Sequence, residues 1–115
     1  MPPDLPREFW TGERCFITEI FNREDYPEVS VARTRVEPGV TTELHALSVS
    51  EWYLIESGQG RMYVGDDEPR NVAAGDVVSI PKNLAQKIEN TGEIDLLFLC
   101  LCAPRFTTEC YRSLE

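Results

Sequence analysis

A single histidine, His45, is all the imidazole this 115-residue chain possesses. No pair of histidines is there to build a multi-imidazole metal centre, and without a Gly-x-Ser-x-Gly stretch serine-type nucleophilic catalysis is excluded as well. Basic residues are also scarce. Eleven Lys and Arg against twenty Asp and Glu leave a net charge of -9, which repels phosphate backbones and anionic lipid, so neither nucleic acid nor membrane is an expected partner. No run approaches the ~20 apolar residues that span a bilayer. The opening MPPDLPREFW lacks a basic start followed by an apolar stretch, so a soluble, cytoplasmic protein is expected. The four cysteines, at 15, 100, 102 and 110, form no CxxC pair, and free thiols in a reducing compartment follow. Gly58-Gln59-Gly60 leads into a strand-like segment rather than a helix, so no phosphate-cradling loop is present. Helical spacing of apolar residues over ten or more positions is missing too.

Short segments rich in Val, Ile, Thr, Phe and Tyr are there instead, separated by proline and glycine. CFITEIF, EVSVARTRV, TTELHAL, SEWYLIES, GRMYVG, RNVAA, DVVSIP, QKIENT and DLLFLCLC read as strands of an all-β protein. The breaks between them are turn chemistry, as at Pro38-Gly39 and Ala74-Gly75-Asp76. PPDLPREFW and PRFTTECYRSLE each read as holding a short helical turn. The length suits one domain over residues 1–115, with a core at 28–104, an N-terminal strand at 15–21 and a tail at 104–115.

Both faces of Leu96–Cys102 are apolar, so neither side of this strand can lie in water. Two covers are open for its outer face: a second copy of the chain, giving a homodimer, or the terminal segments of the same chain.

Gly39, His45, Glu51 and Gly58 stand at the spacings G-x5-H-x-H-x3-4-E-x6-G, with Leu47 at the second histidine. Gly75, Pro81 and Asn90 stand in G-x5-P-x-G-x2-H-x3-N, with Asn83 at the middle glycine and Gln86 at the histidine. In these positions the chain resembles the cupins, which implies a jelly-roll, double-stranded β-helix barrel. Within that family it looks most like the short proteins labelled mannose-6-phosphate isomerase-like.

Period two along a strand puts Glu51, Tyr53 and Ile55 on one side, and His45 with Leu47 on one side of theirs. With the barrel implied by the resemblance, His45, Glu51 and Gln86 converge in its mouth as a ligand set for a divalent metal such as Mn, Fe, Zn or Ni. The family set is three histidines and a glutamate, so a glutamine oxygen here implies weak binding or none. The competing reading is a metal-free hydrogen-bonded cluster, because a buried Glu51 needs a partner or a proton. Two functions remain open. One is a metal-dependent isomerase- or dioxygenase-like enzyme on a small polar metabolite, with Glu51 shuttling protons and Tyr53 orienting substrate. The other is a non-catalytic module that binds or senses a small ligand in the same pocket.

Arg33 and Arg35 share a strand face opposite Ala32, Thr34 and Val36, and a solvated outer face with acidic neighbours is expected for them. Cys100 and Cys102 are expected to behave as small hydrophobes, and Cys110 to be the more exposed thiol.

Overall fold

The computed structural model describes residues 7–115. Eleven strands follow one another: β1 Glu8–Thr11, β2 Cys15–Arg23, β3 Tyr26–Val36, β4 His45–Leu47, β5 Ser50–Ser57, β6 Gln59–Val64, β7 Arg70–Ala73, β8 Val77–Ile80, β9 Gln86–Asn90, β10 Leu96–Ala103 and β11 Tyr111–Ser113. They form two antiparallel sheets, ordered β1-β2-β3-β10-β5-β8 and β11-β4-β9-β6-β7. Strands adjacent in a sheet are mostly remote in sequence, and β5 passes directly into β6 of the other sheet, as the jelly-roll expectation requires. Among the described residues no helix is long and apolar enough to cross a membrane.

The alternation in the sequence explains which side chains meet between the sheets. Along β5, Glu51, Tyr53 and Ile55 are buried while Trp52 and Leu54 are only half-buried, and β9 buries Gln86, Ile88 and Asn90 in the same rhythm. Val36, Ile55, Met62, Val78, Ile88 and Phe98 are the heart of the resulting core. Asn90 closes it at one end, its Nδ2 donating to the carbonyls of Val36 and Ile94 at 2.8 Å each.

Two turn positions show why the motif spacings matter. Gly58, between β5 and β6, has φ +86°, and a Cβ there would sit 2.7 Å from the Asp95 carbonyl oxygen, so only glycine fits. Asn83, at the place where the pattern has glycine, itself adopts φ 70°, a left-handed conformation that asparagine tolerates better than other side-chain-bearing residues.

Three expectations are corrected. TTELHAL is strand only over His45–Leu47: Thr42 and Glu43 turn their amides to the carbonyls of Ile88 and Glu13, apart from a single bridge at Thr41. The N-terminal segment is strand, not helix, over Glu8–Thr11, where Trp10 packs edge-on against Phe16 at 4.9 Å; residues 2–6 of PPDLPREFW lie outside the described residues. Cys110 is buried rather than exposed, because a single 3-10 turn at Thr108–Cys110 directs it against Leu47, Val49 and Cys102. That turn is the helical element expected in the tail, and β11 follows it.

The outer face of the larger sheet is rich in apolar groups. Leu99 of β10 lies between Arg33 of β3 and Leu54 of β5, and Leu101 between Val31 and Trp52. Val77 on β8, opposite Leu54, is 55% exposed. Arg33 and Arg35 are on the outside as expected, paired with Glu56 at 2.8 Å and with Glu8 at 2.8 Å and Asp95 at 3.2 Å.

Candidate functional site

A cavity of about 530 Å³ opens between the sheets. Its buried end is formed by His45, Glu51, Tyr53, Phe98 and Cys102, and its mouth by exposed Phe9, Glu19 and Glu109 with half-buried Asn22 and Arg105. That volume is in the range of small-molecule sites, and apolar surface from residues such as Phe9, Ile17 and Phe98 is mixed there with many polar side chains.

At the buried end three of the expected residues are joined in a chain. Tyr53 Oη donates to Gln86 Oε1 at 2.7 Å, and Gln86 Nε2 donates to Glu51 Oε1 at 2.9 Å. The Cys102 thiol lies 3.7 Å from the other carboxyl oxygen, Glu51 Oε2. Burial pushes the Glu51 carboxyl up to about 7, against the Gln86 hydrogen bond, which favours its ionised form. Burial also raises the Tyr53 phenol well above its ordinary value, so at neutral pH it keeps the proton it donates.

His45 stands opposite Gln86 in the β4–β9 ladder. Its Nδ1 lies 2.8 Å from the Glu43 carbonyl oxygen. A carbonyl only accepts, so Nδ1 carries the hydrogen. Desolvation lowers the imidazole's affinity for a second proton, which leaves Nε2 as a lone-pair nitrogen with no hydrogen-bond partner among the described residues. The ring stacks on Tyr111, with centroids 4.8 Å apart and planes 16° apart.

Sequence reasoning missed two participants. Glu13, in the β1–β2 turn, lines the cavity, and burial together with the negative charge of Glu43 pushes its carboxyl up to about 7. Tyr111 comes from the tail, pairs across β11–β4 with Leu47, stacks on His45 and donates its phenol proton to Glu43. A turn glutamate and a tail tyrosine carry no periodic signal that would have marked them.

The donor set can be tested against a divalent cation. Gln86 could offer only the neutral Oε1, one lone pair of which is already engaged by the Tyr53 hydroxyl. Leu47, at the position of the second histidine, is buried against Val49 and Cys102. Among the described residues no three His, Cys, Asp or Glu side chains gather into a metal-holding group. These residues suit a satisfied hydrogen-bond network better than a resident divalent ion.

Comparisons with known proteins agree with this architecture. A family model described as a cupin domain matches residues 32–102. An uncharacterized protein of Methanocaldococcus jannaschii is 34% identical over 97% of this chain and 91% of its own length. Oxalate decarboxylase of Bacillus subtilis is 33% identical over 76% of this chain, and the match spans only 24% of that longer protein. Its solved structure superposes with a TM-score of 0.83 at 22% identity, over 95% of this chain and 30% of that one. The nucleoside dehydratase Pac13, a variant of which, from Streptomyces, has also been solved with uridine, superposes with a TM-score of 0.80 at 21% identity over 97% of this chain and 87% of that one. At such identities these likenesses are of fold.

Proposed function

The chain belongs to the cupin domain family, and from that premise we propose that it binds a small polar metabolite in the barrel mouth and moves protons on it without a resident metal. The observation that carries this reading is the Tyr53–Gln86–Glu51 chain, which holds a carboxyl titrating at about 7 at the floor of the cavity. A carboxyl in that range exists in both forms at neutral pH, and serves as acid or base with little penalty either way. The lone pair at His45 Nε2 supplies a second, weaker base on the same cavity. Tyr53 and Gln86 position Glu51 and shield it from water.

Isomerisation of a hydroxy-carbonyl compound and dehydration of a hydroxylated one both need this equipment: a proton is taken from carbon and another is delivered to oxygen. The isomerase-like expectation from the sequence and the dehydratase among the fold neighbours both lie within that class. Dioxygenase chemistry has less support, since the donor set offers a metal so little. The metal reading with His45, Glu51 and Gln86 as ligands is the direct rival, and the two differ in what Glu51 needs. Under the proposal the protein stripped with chelator exchanges substrate C–H for deuterium in D2O, as proton NMR follows on a panel of aldoses, ketoses and nucleosides with their phosphate esters and carboxylic acids, and Glu51→Gln abolishes the exchange. Exchange that appears only after Mn or Fe is added back would establish the metal reading instead. A ligand that raises the melting temperature of wild type and Glu51→Gln alike, with no exchange in either, would identify a binding module.

The apolar outer face of the larger sheet supports a homodimer, with a second copy covering Leu99, Leu101 and Leu54.

A further inference from the structure

We propose that Arg105, braced by Asn22, forms an oxyanion subsite at the cavity mouth, so that the ligand carries a carboxylate or phosphate at that end. Only the placing of its other, hydroxyl- or carbonyl-bearing end near Glu51 rests on the functional reading above.

Arg105 is the one Lys or Arg among the described residues that line the cavity. Arg14, Arg23, Arg33 and Arg35 are each neutralised by carboxylates at 3.2 Å or less. Arg105 has no such partner among the described residues. Its Nη1 instead donates to the neutral Asn22 Oδ1 at 2.7 Å, which fixes the guanidinium in place; Glu109 is near enough to feel its charge, but no carboxylate among the described residues forms an ion pair with it.

The brace is itself held. Asn22 Nδ2 donates to the Phe106 carbonyl at 2.9 Å, the Phe106 amide to Ser30 Oγ at 2.8 Å, and the Arg105 amide to the Pro27 carbonyl at 3.0 Å. Four hydrogen bonds thus tie residues 105 and 106 to β2 and β3. The planar fork of N–H groups loses little freedom when an oxyanion docks, and such a fork matches carboxylate and phosphate oxygens in pairs.

The rest of the lining sharpens the selection. Glu13, Glu19, Glu51 and Glu109 share the cavity with this single cation. Arg105 is therefore the one place in the cavity that attracts an anion, which orients a molecule charged at one end with its uncharged end inward.

Inorganic phosphate and acetate are the probes, titrated separately into protein carrying nitrogen-15 in its arginines, with the Arg105 Nε–Hε resonance as the readout. The expected result is a saturable shift of that resonance, weakened several-fold in Asn22→Ala and kept in Glu51→Gln, while isothermal titration calorimetry, which needs no arginine signal, shows binding reduced in Arg105→Lys. The saturable binding isotherm disappears in Arg105→Gln. Tighter phosphate than acetate marks the ligand as a phosphate ester, and the reverse marks a carboxylic acid. An Arg105 resonance that does not saturate with either anion overturns the proposal, as does binding that survives unchanged in Arg105→Gln. Because the Glu51→Gln arm binds anion whether or not Glu51 moves protons, failure here is separable from failure of the proton-transfer reading.

Discussion

The Tyr53 phenol and the Gln86 carboxamide, from strands of opposite sheets, meet in a 2.7 Å hydrogen bond inside the barrel. Both groups are almost inaccessible, at 4% and 1% exposure, so neither can turn to bulk water if the other is lost. Tyr53→Phe keeps the ring against Phe98, 4.4 Å away, and strands Gln86 Oε1. The expected cost is about 1–3 kcal/mol, the penalty for an unsatisfied buried acceptor. Urea denaturation read by tryptophan fluorescence measures it.

Glu51 gives stability a definite pH dependence. Its folded-state value of about 7 lies above the ordinary 4.5, so the folded protein holds this proton more tightly than the unfolded chain. Stability from this group is complete below about 4.5, declines as pH rises, and levels off above about 7. The decline is on the order of 3 kcal/mol. Glu13, raised for similar reasons, acts in the same direction, whereas His45, whose value is lowered, removes stability on the acid side. Denaturation midpoints collected across that pH range should fall less steeply in Glu51→Gln than in wild type. Equal slopes would mean that Glu51 is not desolvated.

One substitution probes the missing imidazole. Because His45 and Gln86 face each other across β4–β9, with side chains of directly opposed residues close enough to share a ligand, Gln86→His supplies a second nitrogen beside Glu51. Wild-type melting temperature is expected to ignore added Mn, Ni and Zn, while Gln86→His gains several degrees with Ni or Zn. A wild-type rise of similar size would restore the three-ligand set.

For the proposed dimer, Leu99→Glu puts a charge in the middle of the outer apolar face, between Arg33 and Leu54 in the ladder. Light scattering after size exclusion should give twice the chain mass for wild type and once for the variant. A wild-type monomer would remove the second copy from consideration.

Legibility in the sequence followed the reach of each signal. Alternation in SEWYLIES placed Glu51, Tyr53 and Ile55 correctly because a strand period is a local property, and Gly58 betrayed its turn because its backbone tolerates nothing else. The inner strands were recoverable for the same reason. TTELHAL looked as regular as its neighbours, yet most of it is held by irregular hydrogen bonds to Ile88 and Glu13. The stacking of Tyr111 on His45 and the bracing of Arg105 by Asn22, 83 residues away, arise only when the chain closes on itself. The same holds for Gln86: its identity was visible, but the hydrogen bond its oxygen accepts from Tyr53 was not.

Cys15, Cys100 and Cys102 line the same chamber as Glu51, and burial raises all three thiols, Cys15 to about 12. At neutral pH almost none of their sulfur is thiolate, the reactive form. The chamber is thereby quiet toward alkylating agents despite its sulfur content, and slow labelling of these three positions becomes a gauge of occupancy: any guest seated over Glu51 should slow it further.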